Sequence, residues 1–82
     1  MNNDAIASQF ELLADLLEIQ GANPFRIRAY RNAARTISGL AESLADMVGD
    51  GADLQELPGI GGDLARQIAE IVTTGQHTGL QE

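Results

Sequence analysis

The 82-residue sequence contains no cysteine and no lysine. Without thiols, neither a disulfide nor a thiolate-bound metal can staple the chain. Without lysine, no side-chain amine is available for Schiff-base chemistry. No apolar run approaches membrane-spanning length, and the chain does not open on the charged-then-apolar pattern of a signal peptide. These absences set the expectation of a cytoplasmic protein with no membrane partner. Strand-like alternation, low-complexity tracts and internal repeats are missing as well. The single histidine, His77, makes no metal site alone. The carboxylates Asp46, Asp50 and Asp53 lack the spacing and the closing glutamate of a calcium loop. No set of residues suggests a catalytic triad. What remains is a one-domain chain, residues 1–82, whose modest core must come from helix packing.

Charge is scarce in one sign. The formal net charge is -7, which argues against a polyanionic partner until its distribution is read. Residues 1–20 carry Asp4, Glu11, Asp15 and Glu18 and no base. Residues 21–40 carry Arg26, Arg28, Arg31 and Arg35 and no acid. Residues 41–60 are acidic again, with Glu42, Asp46, Asp50, Asp53 and Glu56. One concentrated basic segment thus sits inside an acidic chain.

Helical periodicity fills most of the length. Residues 4–20 place Ile6, Phe10, Leu13 and Leu17 on one stripe, widened by Leu12, Leu16 and Ile19. Asp4 or Asn3 suits the N-cap, and Gly21 suits a left-handed stop. Asn23-Pro24 opens a second helix expected to run to Ser38, with Gly39 ending it. Its apolar face holds Ile27, Tyr30, Ala34 and Ile37, and Arg28, Arg31 and Arg35 share the opposite face. A third, short helix is expected over 41–48, with Leu44, Met47 and Val48 facing inward, broken by Gly49-Asp50-Gly51. One more helical turn is expected over 52–57, and a last helix over 62–74 with Gly75 as its stop. The expected fold is therefore all-α: a compact bundle of four main helices plus a short helical turn.

The run Leu57-Pro58-Gly59-Ile60-Gly61-Gly62-Asp63-Leu64-Ala65 is the most specific feature. Proline ends the incoming helix, the glycines ease the turn, and Ile60 plugs it into the core. The amides of Gly59, Gly61 and Gly62 are then free to point outward just before a helix begins. Such a place suits a phosphate, recognised through backbone and without regard to base sequence. The plain alternative is a helix corner in which Gly and Pro only make the turn.

Arg26 is the unusual side chain. A cation in the first helical turn opposes the dipole at a cost of about 0.3–1 kcal/mol. An anion held beside it would account for its place; so would an arginine stretched over the surface to an acid such as Glu18. Tyr30, one turn on, is either a core ring with its hydroxyl at the rim or a phosphate contact. The row Arg28, Arg31 and Arg35 can follow a phosphate backbone or pair with the acidic segments.

The segment Leu57 to Ile68 resembles the helix-hairpin-helix of DNA repair and replication proteins. The run Asn23-Pro24-Phe25-Arg26-Ile27-Arg28-Ala29-Tyr30-Arg31-Asn32-Ala33-Ala34-Arg35 resembles the second helix of the amino-terminal domain of family X DNA polymerases. The spacing of the two blocks, the opening helix and Thr74-Gly75-Gln76 agree with that family, nearest to its bacterial and archaeal members. The resemblance implies the amino-terminal, 8 kDa-type domain of a longer polymerase chain, monomeric and joined to a polymerase core. It implies gripping of gapped, 5′-phosphorylated DNA. It also implies that Phe25 stacks on a template base and that Arg26 and Tyr30 belong to a 5′-phosphate pocket. Gln55 and Asp63 stand where two lysines of that pocket would be expected, leaving it half built. Animal relatives also use a lysine of the last helix as a Schiff-base lyase. Gln67 occupies its place, so the domain by itself is not expected to be an enzyme. The resemblance further implies no organic cofactor, but a Na+ or K+ ion held by the backbone carbonyls of Gln55, Leu57 and Ile60. Alternatives are a hairpin module from another repair or recombination protein, or an acidic protein-interaction domain. A lyase using the terminal amine is a third, separable by borohydride trapping.

Overall fold

The computed structural model describes residues 2–74, and among these residues there is no strand. They form α1 (Asn3–Ile19), α2 (Pro24–Ser38), α3 (Leu44–Gly49), a 3₁₀ turn (Leu54–Glu56) and α4 (Gly62–Thr74). The bundle of four helices and one turn is the one the periodicity predicts. No helix among the described residues is long and apolar enough to cross a membrane. Gly75, the expected stop of the last helix, lies outside the described residues, as do Gln76 and His77.

α1 and α2 lie against each other along most of their length. Ile6, Phe10, Leu13 and Ala14 of α1 meet Tyr30, Ala33, Ala34 and Ile37 of α2 in one buried cluster. The alanines let the two backbones come close, and Phe10 and Tyr30 fill the space with ring centroids 5.8 Å apart. Leu44, Leu54, Ile60, Leu64, Ile68 and Ile71 close the same core from below. Burying a side chain such as Phe10 in full is worth about 1.5–3 kcal/mol, and several do so here: Ile6, Phe10, Ile37, Leu44, Ile68 and Ile71 are all below 2% exposed.

Three expectations are corrected. The apolar stripe of α1 is narrower than its sequence suggests: Leu12, Leu16 and Ile19 are 48%, 38% and 82% exposed. α2 covers one face of α1 and leaves these three exposed. The cap of α1 is Asn2, whose Oδ1 accepts from the Ala5 amide at 2.7 Å, and not Asp4 or Asn3. The third helix starts at Leu44 instead of residue 41. Its N-cap residue, Ser43, is extended and makes no side-chain cap. The cap comes from α1 instead. Asn3 Oδ1 accepts from the Leu44 amide at 2.9 Å, and Asn3 Nδ2 donates to the Glu42 carbonyl at 2.8 Å. A side chain 41 positions away thus decides where α3 begins. The other punctuation is as expected. Gly21 is left-handed with φ of 74°, and Asn23 caps α2 with Pro24 at its start.

This double bond makes Asn3 the tie between α1 and the start of α3. Asn3→Ala should destabilise the fold by about 1 kcal/mol. That corresponds to a midpoint about 4–8 °C lower for a domain of this size, readable by thermal circular dichroism. Asn2→Ala should fray only α1.

Candidate nucleic-acid interface

The hairpin between the 3₁₀ turn and α4 is held by short local bonds. The Leu57 amide donates to the Leu54 carbonyl and the Ile60 amide to the Leu57 carbonyl, each at 3.1 Å. Pro58 has no N–H, so it cannot continue that series, and the Gln55 carbonyl loses its natural donor. Ile60 is buried to 4% exposure and anchors the turn in the core. Thr36 of α2 donates its hydroxyl to the Pro58 carbonyl at 2.9 Å, fixing the hairpin against α2.

The glycines of the hairpin are not equivalent. Gly59 has φ of 75°, a left-handed conformation that favours glycine. Gly61 and Gly62 have no such φ. A Cβ at Gly61 would meet nothing within 4 Å, and one at Gly62 only the tip of Gln55, from 3.9 Å. The turn itself therefore does not need Gly61 or Gly62 to be bare. Their bareness instead keeps the backbone open from outside. Among the described residues, the amides of Gly59, Gly61 and Gly62 make no hydrogen bond, and the last two lie at the start of α4. Free amides at the positive end of a helix dipole favour an anion.

Beside the hairpin, α2 and α4 enclose a cleft of about 350 Å³, lined by Arg26, Ala29, Tyr30, Asp63, Leu64, Arg66 and Gln67. Tyr30 takes the first of its two readings, a core ring with its hydroxyl at the rim. Its ring is buried at 6% exposure, and its hydroxyl donates to Gln67 Oε1 at 3.0 Å across the cleft. The Arg26 guanidinium lies 6.0 Å from the centroid of the Tyr30 ring, at the limit of a cation–π contact. Arg26 therefore stays at the cleft, and Glu18 is taken by another arginine. Asp63 also lines the cleft, with its carboxylate 3.3 Å from Arg66 Nη2. Arg66 is the lining residue that sequence reasoning missed. The signal was present, since it follows Asp63 at helical spacing and precedes Gln67.

The other singled-out side chains fall elsewhere. Phe25 does not line the cleft; it is 75% exposed, with the Arg28 guanidinium 5.8 Å from its ring centroid. The arginine row of α2 is divided. Arg31 bonds Glu11 and Asp15 at 3.1 Å each and Glu18 at 3.0 Å, clasping α2 to α1. The hydrogen bonds to Asp15, and next to Glu18, raise its pKa above the ordinary arginine value. Arg28 and Arg35 stay exposed on the α2 surface. No cluster of three or more acidic or histidine side chains that could hold a metal ion occurs among the described residues.

A buried-plug hairpin with bare amides, running from a helical turn into a helix, is the form of a helix-hairpin-helix. The chain belongs to the helix-hairpin-helix domain family, whose model matches residues 1–77. It is also similar to DNA polymerase/3'-5' exonuclease PolX of Bacillus subtilis (strain 168), at 31% identity over 81 residues. The match takes in 99% of this chain and 14% of that protein, so the chain spans about a seventh of the relative's length.

The Tyr30 hydroxyl is a polar link between α2 and α4. Tyr30→Phe keeps the ring against Phe10 but removes the bond to Gln67. It should cost about 0.5–1.5 kcal/mol in urea denaturation, with helix content unchanged.

Proposed function

We propose that this domain binds DNA through its sugar-phosphate backbone, at gaps that carry a 5′-phosphate, as the amino-terminal domain of a family X DNA polymerase. The observation that carries the reading is the juxtaposition of two anion-seeking places. The bare amides of Gly59, Gly61 and Gly62 open on one side of α4, and the cleft with Arg26 and Tyr30 adjoins it. The helix-hairpin-helix family and the likeness to a DNA polymerase support it. In this reading the hairpin takes backbone phosphates, with the amide of Asp63 as the next donor of the helix start. The cleft takes the terminal phosphate. Phe25, which is exposed with Arg28 beside its ring, is in this reading the side chain that stacks on a base. Arg28 and Arg35 are free to meet phosphates of the duplex, and Arg31 would have to leave its acids to do so.

A monovalent cation at the hairpin belongs to the same proposal. Its holders would be the carbonyls of Gln55, Leu57 and Ile60. They are neutral hard oxygens, as an alkali ion prefers. Among the described residues, only that of Leu57 accepts a backbone bond outside the regular helices. Such an ion would offset phosphate charge that this acidic chain offers few cations to meet. The lyase chemistry of related domains forms no part of the reading, because Gln67 carries an amide where an amine is required.

A titration of gapped, 5′-phosphorylated DNA by fluorescence anisotropy tests the reading. Binding should weaken steeply between about 50 and 200 mM salt, as backbone contacts do. Gly61→Val leaves the interior untouched, since that Cβ points into open space. It should nonetheless weaken binding more than about tenfold by blocking the amides, with circular dichroism confirming retained helix. Equal affinity of the parent and Gly61→Val would contradict the backbone-phosphate mode.

A further inference from the structure

The α2–α4 cleft is lined by three charged side chains: Arg26, Asp63 and Arg66. A carboxylate beside two guanidinium groups is an unexpected neighbour in a site for phosphate. Its partner is Arg66, through a single contact of 3.3 Å between Asp63 Oδ1 and Arg66 Nη2. Both side chains are open to water, 84% and 73% exposed, so the pair is weakly held. One contact leaves most of the guanidinium donors of Arg66 for another acceptor. Asp63 lies in the first turn of α4, where the helix dipole favours its charge. The short carboxylate therefore stays in place, and the long arginine is the partner that moves.

We propose that Asp63 and Arg66 form a charge-exchange pair that regulates how tightly the cleft holds a terminal phosphate. Asp63 keeps Arg66 at the rim while the cleft is free. A 5′-terminal phosphate monoester takes the guanidinium over, because it brings nearly two negative charges and can accept two parallel N–H bonds. Asp63 then remains as a built-in competitor for the Arg66 guanidinium, which moderates affinity and promotes release. An internal diester, with one charge, competes for Arg66 less well. The pair thereby favours a strand end over a continuous backbone. This inference rests on the reading that the cleft takes a 5′ end.

The experiment compares single-nucleotide-gapped DNA carrying either a 5′-phosphate or a 5′-hydroxyl on the downstream strand, at low salt, by anisotropy. Asp63→Asn should bind the phosphorylated gap about two- to fivefold more tightly, the scale of one exposed ion pair, and change the hydroxyl gap less. Arg66→Gln should weaken the phosphorylated gap to a similar extent. In the double variant, Asp63→Asn should add nothing to Arg66→Gln, because the carboxylate acts through that arginine. Full strengthening by Asp63→Asn in the Arg66→Gln background would overturn the proposal, as would an Asp63→Asn variant that binds like the parent. Arg26→Gln separates the two levels. If it abolishes the phosphate preference while the Asp63 and Arg66 variants are silent, only the exchange pair falls. If the parent itself binds both gaps alike, the cleft is no phosphate site and both readings fall. Circular dichroism of each variant excludes loss of α4.

Discussion

The contact on which the rest depends is that of Tyr30 with its two surroundings. Its ring lies against Phe10 in the α1–α2 core, and its hydroxyl reaches Gln67 on α4. One side chain thus fixes the distance between the two helices that form the cleft. Arg26 rests over the same ring, one turn earlier on α2. Thr36, further along α2, holds the Pro58 carbonyl of the hairpin. Both anion-seeking places are therefore indexed to α2, and α2 is indexed to α1 by close packing. In so small a domain no second layer is available to support the site. The core residues themselves have to carry it.

The electrostatics follow from how few cations there are. An overall charge of -7 repels phosphate at long range, so attraction must be local. Arg31 is spent on three carboxylates of α1. Arg66 is shared with Asp63. Backbone amides cost the chain no net charge and need no flexible side chain to be ordered, and the hairpin supplies them. The exposed aliphatics Leu12, Leu16 and Ile19 lie on α1, and none of them lines the cleft.

Much of this was legible in the sequence because it is local. The period of Ile6, Phe10 and Leu13, the Asn23-Pro24 start and the hairpin signature each depend on neighbours within a turn or two. The likeness at residues 57–68 also selected the helix-hairpin-helix family. What escaped was tertiary. Asn3 caps α3 across 41 positions, so no local pattern could place that helix start. The row Arg28, Arg31 and Arg35 offered pairing with the acidic segments as one of its readings, but only the arrangement of α1 beside it reveals that Arg31 is the member so engaged. Leu12, Leu16 and Ile19 fit a buried stripe by spacing, and they are exposed because one neighbouring helix covers only one face. Gly59 and Gly61 look alike in the sequence. Their difference lies in φ: Gly59 serves the turn, and Gly61 leaves the amide uncovered.

Where DNA touches this domain is measured most directly by amide chemical-shift changes in the isotope-labelled chain, titrated with gapped, 5′-phosphorylated DNA. Contact through the hairpin and cleft predicts the largest changes at the amides of Gly59, Gly61, Gly62 and Asp63, with further changes at the side chains of Arg26 and Gln67. Changes concentrated on α1, around Leu12, Asp15 and Ile19, with the hairpin amides unmoved, would contradict it.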